Sequence, residues 1–221
     1  MEQQAREQAF ISALTTEQFV LQAARSANVG EMTGRGTIYM GTVSSSLIAL
    51  GFLAQVVTHL DPVVAAVLPA VFVLGEFTFA ALVRNTLENL VLLRQMQRIR
   101  GYYRTLVPEA DQFFGQAAEE ERYTAAMATV GLRARLVGMV FTGASVVAAI
   151  NSIVGGVGVA LLAAKVASVA TGAALVVGST AAVVLFGLHL LYQQQRAASL
   201  VPRPHAASAS GGSRPRRRGA R

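Results

Sequence analysis

The 221-residue chain contains no cysteine, and this absence excludes disulfides, thiolate metal sites and thiol nucleophiles. Charged residues are also scarce: Asp, Glu, Lys and Arg make up 14% of the chain, whereas an ordinary soluble domain contains about 25%. Residues 36–60 contain no charged residue, residues 62–83 contain only Glu76, and residues 136–195 contain only Lys165. Uncharged stretches of this length indicate an integral membrane protein.

The sequence also lacks the motifs of common enzymes and metal sites. Its three histidines, His59, His189 and His205, lie in separate segments, and it contains neither an HExxH motif nor a nucleophile elbow. The glycines of GEMTGRG, residues 30–36, follow no predicted strand, so they do not indicate a phosphate-binding loop. We therefore predict no enzymatic activity, no cofactor and no metal site.

What the chain does contain is four apolar segments, at residues 37–57, 62–83, 136–157 and 168–192. About 20 helical residues, at a rise of about 1.5 Å each, cross a hydrocarbon core of about 30 Å. The first 36 residues contain seven charges, which is untypical of a cleavable signal peptide. We predict an all-α fold, a four-span transmembrane helical bundle made of two transmembrane hairpins, residues 37–83 and 136–192.

The distribution of arginine predicts the orientation of this bundle. Every arginine lies in residues 1–36, 84–135 or 193–221, which share one side of the membrane in a four-span chain, whereas Lys165 lies on the other side. Positive residues are preferentially retained in the cytoplasm. We therefore predict a multi-pass protein of the plasma (inner) membrane with both termini cytoplasmic.

The C-terminal segment, residues 193–221, is predicted to be a disordered, basic cytoplasmic tail because Pro, Ser, Gly, Ala and Arg dominate it. Its last eight residues, RPRRRGAR, favour contact with anionic lipid headgroups at about 1 kcal/mol per basic residue. The formal net charge of +7 also fits nucleic-acid binding. Membrane topology already explains the arginines, however, so we predict a lipid partner and no nucleic acid.

The middle segment, residues 84–135, is predicted to form a cytoplasmic antiparallel helical hairpin. Residues 84–107 contain no proline and many good helix formers, so the second span continues as a helix until Pro108 interrupts it. Residues 108–135 then form a second arm that leads into the third span. In this hairpin, Arg94 and Arg98 face an acidic triplet. The triplet consists of Glu119, Glu120 and Glu121. Alternatively, both charged runs are only solvated helix faces.

The N-terminal segment, residues 1–36, is predicted to be a cytoplasmic amphipathic helix, with Thr15 or Thr16 as its cap. It either docks on the hairpin or lies on the inner leaflet. Its apolar residues recur at helical spacing. They are Phe10, Leu14, Phe19, Val20, Ala23 and Ala27.

Glu76 is the isolated acid of the second span, and a carboxyl group in hydrocarbon needs polar partners. If residues 37 and 83 are level at the inner surface, Glu76 lies opposite residue 44 of the first span. The predicted intramembrane polar cluster therefore consists of Glu76, Ser44, Ser45, Ser46 and His189. Two interpretations stay open, a structural polar staple and a residue of an ion or proton pathway.

Small and amide residues of the third span are interpreted as sites of close helix packing. They are Asn151, Gly155, Gly156 and Gly158.

Two segments carry a resemblance to known proteins. Residues 17–52, EQFVLQAARSANVGEMTGRGTIYMGTVSSSLIALGF, and residues 98–104, RIRGYYR, resemble segments of small uncharacterised multi-span bacterial membrane proteins. A polar helix that leads into a first span is also similar to the membrane effectors of bacterial nucleotide-signalled phage defence. The resemblance implies a membrane bundle and no particular site residues.

For function, the sequence predicts a membrane-anchored scaffold, sensor or effector. Its cytoplasmic helices are expected to bind a cytoplasmic protein or a second copy of the chain. The alternative is a small channel or transporter subunit in which Glu76 lines the pathway. Inverted repeats are typical of many transporters, but the first half of this chain contains Pro62 and Pro69 within its second span and the other hairpin contains no proline.

Overall fold

The computed structural model describes residues 1–56, 61–106, 109 and 143–198. These residues form four α-helices: α1 (Glu2–Val56), α2 (Asp61–Arg104), α3 (Gly143–Lys165) and α4 (Thr171–Ala198). Within the described ranges there is no strand, and all four helices are long and apolar enough to cross a membrane. The predicted all-α class with four long apolar helices is thereby confirmed.

α1 is one continuous helix of 55 residues, so the predicted N-terminal helix and first span are a single rod. The capping role predicted for Thr15 or Thr16 is wrong, because both lie inside the helix. Their hydroxyls donate to the carbonyl oxygens of Ile11 and Ser12, at 2.9 and 3.0 Å. A Ser or Thr hydroxyl inside a helix commonly donates to the backbone carbonyl oxygen four residues earlier, and it then does not cap the helix.

α2 also runs unbroken beyond its apolar segment, to Arg104, as expected for the first arm of the hairpin. Pro62 fits the first turn of the helix, where a backbone N–H has no helical partner. Pro69 lies inside the helix. The helix ends in a turn in which Thr105 N–H donates to the carbonyl of Tyr102 at 2.9 Å. The second arm of the hairpin and Glu119–Glu121 lie outside the described residues.

The last two helices are longer than the sequence predicted at their C-terminal ends. α3 continues to Lys165 through residues 158–165, which are mostly Ala and Leu and favour a helix. α4 continues to Ala198, so residues 193–198, the first part of the predicted tail, are helical. Gln193 there is buried and lies 3.3 Å from the Ser145 hydroxyl of α3. Residues 199–221, with the rest of the predicted tail, lie outside the described residues.

α3 and α4 pack closely through small residues. A Cβ atom on Gly156 of α3 would lie 2.6 Å from the carbonyl oxygen of Gly178 of α4, and a Cβ on Gly178 would lie 2.6 Å from that of Gly156. Glycine at both positions allows the two backbones to approach. The predicted packing role is confirmed for Gly155 and Gly156 and is wrong for Gly158, which has nothing within 4 Å of its Cβ position.

α2 packs between α1 and α3, and its contacts with α4 are few. The main hydrophobic core lies where α1, α2 and α3 meet. Its buried members are Tyr39, Val43, Val71, Phe79, Leu82, Val83, Ala144, Val147 and Ala148. At the far end of the bundle, Lys165 of α3 donates to Asp61 of α2 at 3.0 Å. The scarcity of α2–α4 contacts leaves a groove between those two helices.

Residues 2–36 of α1 and 84–104 of α2 extend beyond the bundle side by side and are called the stalk below. Leu21, Met96 and Ile99 form a second buried apolar cluster that holds the stalk together. The rings of Phe10 and Tyr102 meet edge to face, with their centroids 5.4 Å apart. The N-terminal helix therefore docks on the α2 extension, one of the two arrangements expected for it. The pairing predicted for Arg94 and Arg98 involves residues outside the described ranges.

Candidate functional site

Each of the four helices contributes one polar residue to a connected cluster, called the four-helix cluster. The Tyr39 hydroxyl of α1 donates to Asn151 Oδ1 of α3 at 3.1 Å. Asn151 Nδ2 donates to Glu76 Oε1 of α2 at 2.9 Å. His189 Nε2 of α4 lies 3.0 Å from the same Glu76 oxygen. A single chain of hydrogen bonds thus links all four helices.

Gly75 makes room for the centre of this cluster. A Cβ atom built at Gly75 would overlap the carboxamide of Asn151. Only a residue without a side chain therefore allows Asn151 to reach the neighbouring Glu76. Asn151 itself is completely buried, so its two hydrogen bonds satisfy an amide that has no access to solvent.

His189 is held in one orientation by its surroundings. Its Nδ1 lies 2.7 Å from the carbonyl oxygen of Leu185, one turn back on α4, and 3.4 Å from the hydroxyl of Ser152. The ring of Phe79 meets the imidazole edge to face at a centroid distance of 4.4 Å. Because a carbonyl oxygen can only accept, Nδ1 carries a proton and Nε2 is the nitrogen that faces Glu76.

The Glu76–His189 contact holds one proton. It is either an imidazolium bonded to a carboxylate or a neutral imidazole bonded to a carboxylic acid. Both forms have zero net charge, which suits a site among apolar side chains because an unbalanced charge is expensive there. Chemically, the pair can hold a proton and can move it between Oε1 and Nε2 without a change in the charge of the site.

Glu76 is the open member of the four-helix cluster. Tyr39 and Asn151 are fully buried and His189 is buried, but 41% of the Glu76 side chain is exposed. It borders the groove between α2 and α4, which has a volume of about 550 Å³. The other residues of this groove are Phe72, Phe77, Phe79, Ala80, Leu185, Leu188, His189 and Tyr192. The carboxyl group is therefore accessible through an otherwise largely apolar cleft.

The structure brings together only part of the predicted polar cluster. Glu76 and His189 are in contact, as the sequence suggested. Ser44 and Ser45 are exposed and Ser46 is half-buried, and the hydrogen bonds of Glu76 among the described residues go to Asn151 and His189 instead. The prediction that Glu76 bonds to the serine hydroxyls of the first span is therefore wrong.

The correction has a geometric cause, the register of α1 against α2. Asn28 lies 3.4 Å from Glu88, and this antiparallel register continues into the bundle. It places Tyr39 level with Glu76, about one helical turn before the position that the sequence suggested. Ser44 and Ser45 also follow Val43, which faces the core, by about 100° and 200° around the helix, so both point away from it.

Sequence reasoning missed Tyr39 and Asn151 as members of the site. Asn151 was a recognisable signal, since it is an isolated amide in an apolar segment, where polar side chains usually bond between helices. Tyr39 gave a weaker signal because tyrosine is common near the ends of membrane spans.

The described part of the chain contains no group of three His, Cys, Asp or Glu residues that is arranged to hold a metal ion. Comparison with known protein families, with curated proteins and with solved structures finds no match for the chain. The chemistry of the site therefore rests on the geometry of the four-helix cluster and its groove.

Proposed function

We propose that this protein is a four-span protein of the plasma (inner) membrane with both termini in the cytoplasm, and that its stalk binds a protein partner there. Four helices of sufficient length and apolarity support the membrane location. Every arginine of the described residues lies at the stalk side of the spans, which supports the orientation. The proposed protein is a scaffold, sensor or effector anchored in the bilayer.

The observation that carries the proposal is the continuity of α1 and α2. Each runs without a break from its apolar segment into the stalk. Tyr39 of α1 and Glu76 of α2, two members of the four-helix cluster, belong to the same two helices that form the stalk. A rearrangement of the spans therefore reaches the stalk directly, and a partner bound to the stalk acts on the spans in return.

The surface of the stalk supports a protein partner. Phe19 and Val20 are exposed, at 68% and 56%. Exposed apolar surface that is contiguous marks interaction sites in many proteins, and these two side chains supply such surface on the stalk. Their partner is a cytoplasmic protein or a second copy of this chain and not nucleic acid, because these exposed side chains are apolar.

Co-purification tests this proposal. The full-length protein is extracted in detergent, and Phe19→Glu with Val20→Glu is compared with Gln3→Glu with Gln4→Glu. Both doubles add two negative charges to exposed positions of α1. We expect the first double to lose a co-purifying soluble protein, or the oligomer, and the second to keep it. Retention by both doubles would contradict the proposal.

The orientation has its own test. A reporter that is active only outside the cytoplasm gives a signal when fused after Asp61, and none when fused after Pro108 or Arg221. A signal at Pro108 overturns the orientation.

A second candidate function is a small channel or transporter subunit. The Glu76–His189 pair, open to the groove between α2 and α4, favours it because intramembrane acids and histidines often form proton relays. Reconstitution in liposomes tests it, since Glu76→Gln should abolish proton or ion flux while the fold stays intact. Stable monomers without flux speak against this candidate.

A further inference from the structure

Three arginines from three helices meet in a groove at the stalk end of the bundle. Arg35 of α1, Arg84 of α2 and Arg196 of α4 line it, and its volume is about 570 Å³. Among the described residues its lining contains no carboxylate. The groove therefore combines a concentration of positive charge with apolar walls.

Two of these arginines form ion pairs with glutamates that do not line this groove. Arg35 Nη2 lies 2.8 Å from Glu31, and Arg84 Nε lies 3.7 Å from Glu88. Glu31 and Glu88 both line the neighbouring groove, which also contains Asn28. A guanidinium group has five N–H donors in a planar fork, so it can bond a carboxylate along one edge and an anionic ligand along another.

Arg196 is positioned by an aromatic ring. Its guanidinium carbon lies 5.3 Å from the centre of the Tyr192 ring, and its Nε donates to the Tyr192 hydroxyl at 3.2 Å. Stacking and a hydrogen bond to the same residue fix the direction of this long side chain. The α4 contribution to the groove is therefore preorganised.

The arginine groove continues into the groove of Glu76. Phe77, Ala80 and Tyr192 line both of them, so they form one cleft between α2 and α4. Along α2, Arg84 lies about 12 Å from Glu76 at a rise of about 1.5 Å per residue. The cleft thus presents cationic groups at one end and an apolar surface along its length.

We propose that this cleft binds one anionic phospholipid of the inner leaflet. The phosphate contacts Arg35, Arg84 and Arg196, and one acyl chain lies along Phe77 and Ala80. Basic pockets between helices on the cytoplasmic side of a membrane bind headgroups of this type. The arginine end of the cleft is lined by three guanidinium groups and no carboxylate, and Glu76 lies about 12 Å away along α2. This end therefore favours a headgroup with a net negative charge over a zwitterionic one. The proposal rests on the membrane insertion and orientation proposed above.

Native mass spectrometry of the full-length protein tests the proposal, with phosphatidylglycerol and phosphatidylcholine titrated as probes. We expect one phosphatidylglycerol per chain to survive delipidation and phosphatidylcholine to be lost. Arg84→Gln with Arg196→Gln should weaken phosphatidylglycerol binding about fivefold per arginine, hence about 25-fold for the double variant. Ala80→Trp should also weaken it without a change in charge, because the indole would fill the shared wall.

The matched control is Arg6→Gln with Arg98→Gln, which removes two exposed positive charges outside the cleft. It should bind phosphatidylglycerol like the wild type. Equal retention of the two lipids by the wild type, or an equal loss in both double variants, would overturn the proposal. If the Arg84/Arg196 variant does not fold, the wild-type comparison of the two lipids decides alone.

A separate measurement distinguishes failure of the proposed phospholipid site from failure of the proposed membrane location. Alkaline carbonate extraction leaves an integral protein in the membrane pellet. A pelleted protein without lipid preference refutes the phospholipid site only, whereas a protein released by carbonate refutes both the site and the membrane location.

Discussion

The two helical pairs that the described residues form, α1 with α2 and α3 with α4, are held together in different ways. α3 and α4 approach each other most closely at Gly156 and Gly178, where a Cβ atom on either glycine would meet the backbone of the other helix. α1 and α2 instead meet along most of their lengths, through apolar side chains in both the bundle and the stalk. The first pair is a compact unit fixed by shape, and the second pair is a long unit that extends beyond the bundle.

The four-helix cluster is where these two units are joined. Tyr39 and Glu76 come from the long pair, and Asn151 and His189 come from the compact pair. Apolar contacts between α2 and α3 support the same junction, whereas α2 and α4 make few contacts. Close backbone approach holds α3 to α4 and apolar side chains hold α1 to α2, whereas α2–α3 packing and a few hydrogen bonds fix one pair against the other.

The largest effect is expected where the compact pair is closest. Gly156→Leu should destabilise the protein by about 3 kcal/mol, because its Cβ would lie 2.6 Å from the Gly178 carbonyl oxygen and neither backbone can yield. Unfolding in mixed micelles measures the change. Gly158→Leu is the control, since nothing lies within 4 Å of that Cβ position. Equal losses in the two variants would contradict packing through Gly156.

The next effect concerns the stalk of the long pair. Leu21→Ala should cost about 2 kcal/mol, because it opens a cavity in the cluster of Leu21, Met96 and Ile99. Hydrogen exchange should show faster exchange for stalk amides and unchanged exchange for α3 and α4. Val20→Ala at the exposed neighbouring position should have little effect. Faster exchange across α3 and α4 as well would show that the two units are not independent.

A smaller effect is expected at the junction. Gly75→Ala should cost about 1–2 kcal/mol, because the methyl group displaces the Asn151 carboxamide and its hydrogen bonds. Gly51→Ala, in open space on α1, is the matched control. Asn151→Ala should remove the penalty, so that Gly75→Ala with Asn151→Ala unfolds like Asn151→Ala alone. A full extra penalty in the double variant would exclude this explanation.

The smallest change in stability is expected for Glu76→Gln. Both hydrogen bonds converge on Glu76 Oε1, so a glutamine keeps one of them: its oxygen accepts from Asn151 or its amide donates to His189. Because a hydrogen bond between helices contributes about 0.6 kcal/mol, the cost should stay under about 1 kcal/mol. Equilibrium unfolding measures it, together with flux in liposomes. Normal stability with lost flux or signalling indicates a proton-carrying role, and normal values of both indicate a structural staple. A large loss of stability would contradict the hydrogen-bond pattern of the four-helix cluster.

Much of the fold was predictable because charge is so unevenly distributed. Long stretches in which Glu76 or Lys165 is the only charged residue predict apolar helices. The absence of proline in residues 84–107 predicts the extension of α2. Helix ends were less predictable, since residues 193–198 favour a helix by propensity and also resemble a tail by composition. Caps failed for a similar reason, because a hydroxyl such as that of Thr15 bonds equally well inside a helix.

The candidate site was only half predictable from the sequence. Glu76 was evident as a lone acid, and His189 could be placed near it from the lengths of the helices. Its partner Asn151 depends on the register between α2 and α3, which is set by the space above Gly75. The register of α1 depends on contacts in the stalk, such as Asn28 with Glu88, and the pattern of apolar residues does not specify it to within one turn.

The unbroken length of α1 makes it a lever. Its 55 residues span about 80 Å, of which about 30 Å is needed to cross a bilayer, so about 50 Å remains on the stalk side. A tilt of about 5° at the bundle would then displace the tip of the stalk by about 4 Å, which is more than half of the helical pitch of about 5.4 Å. Adjustments at the four-helix cluster that are smaller than a bond length would become, at the distal end, movements large enough to change which turn of a partner helix is in contact.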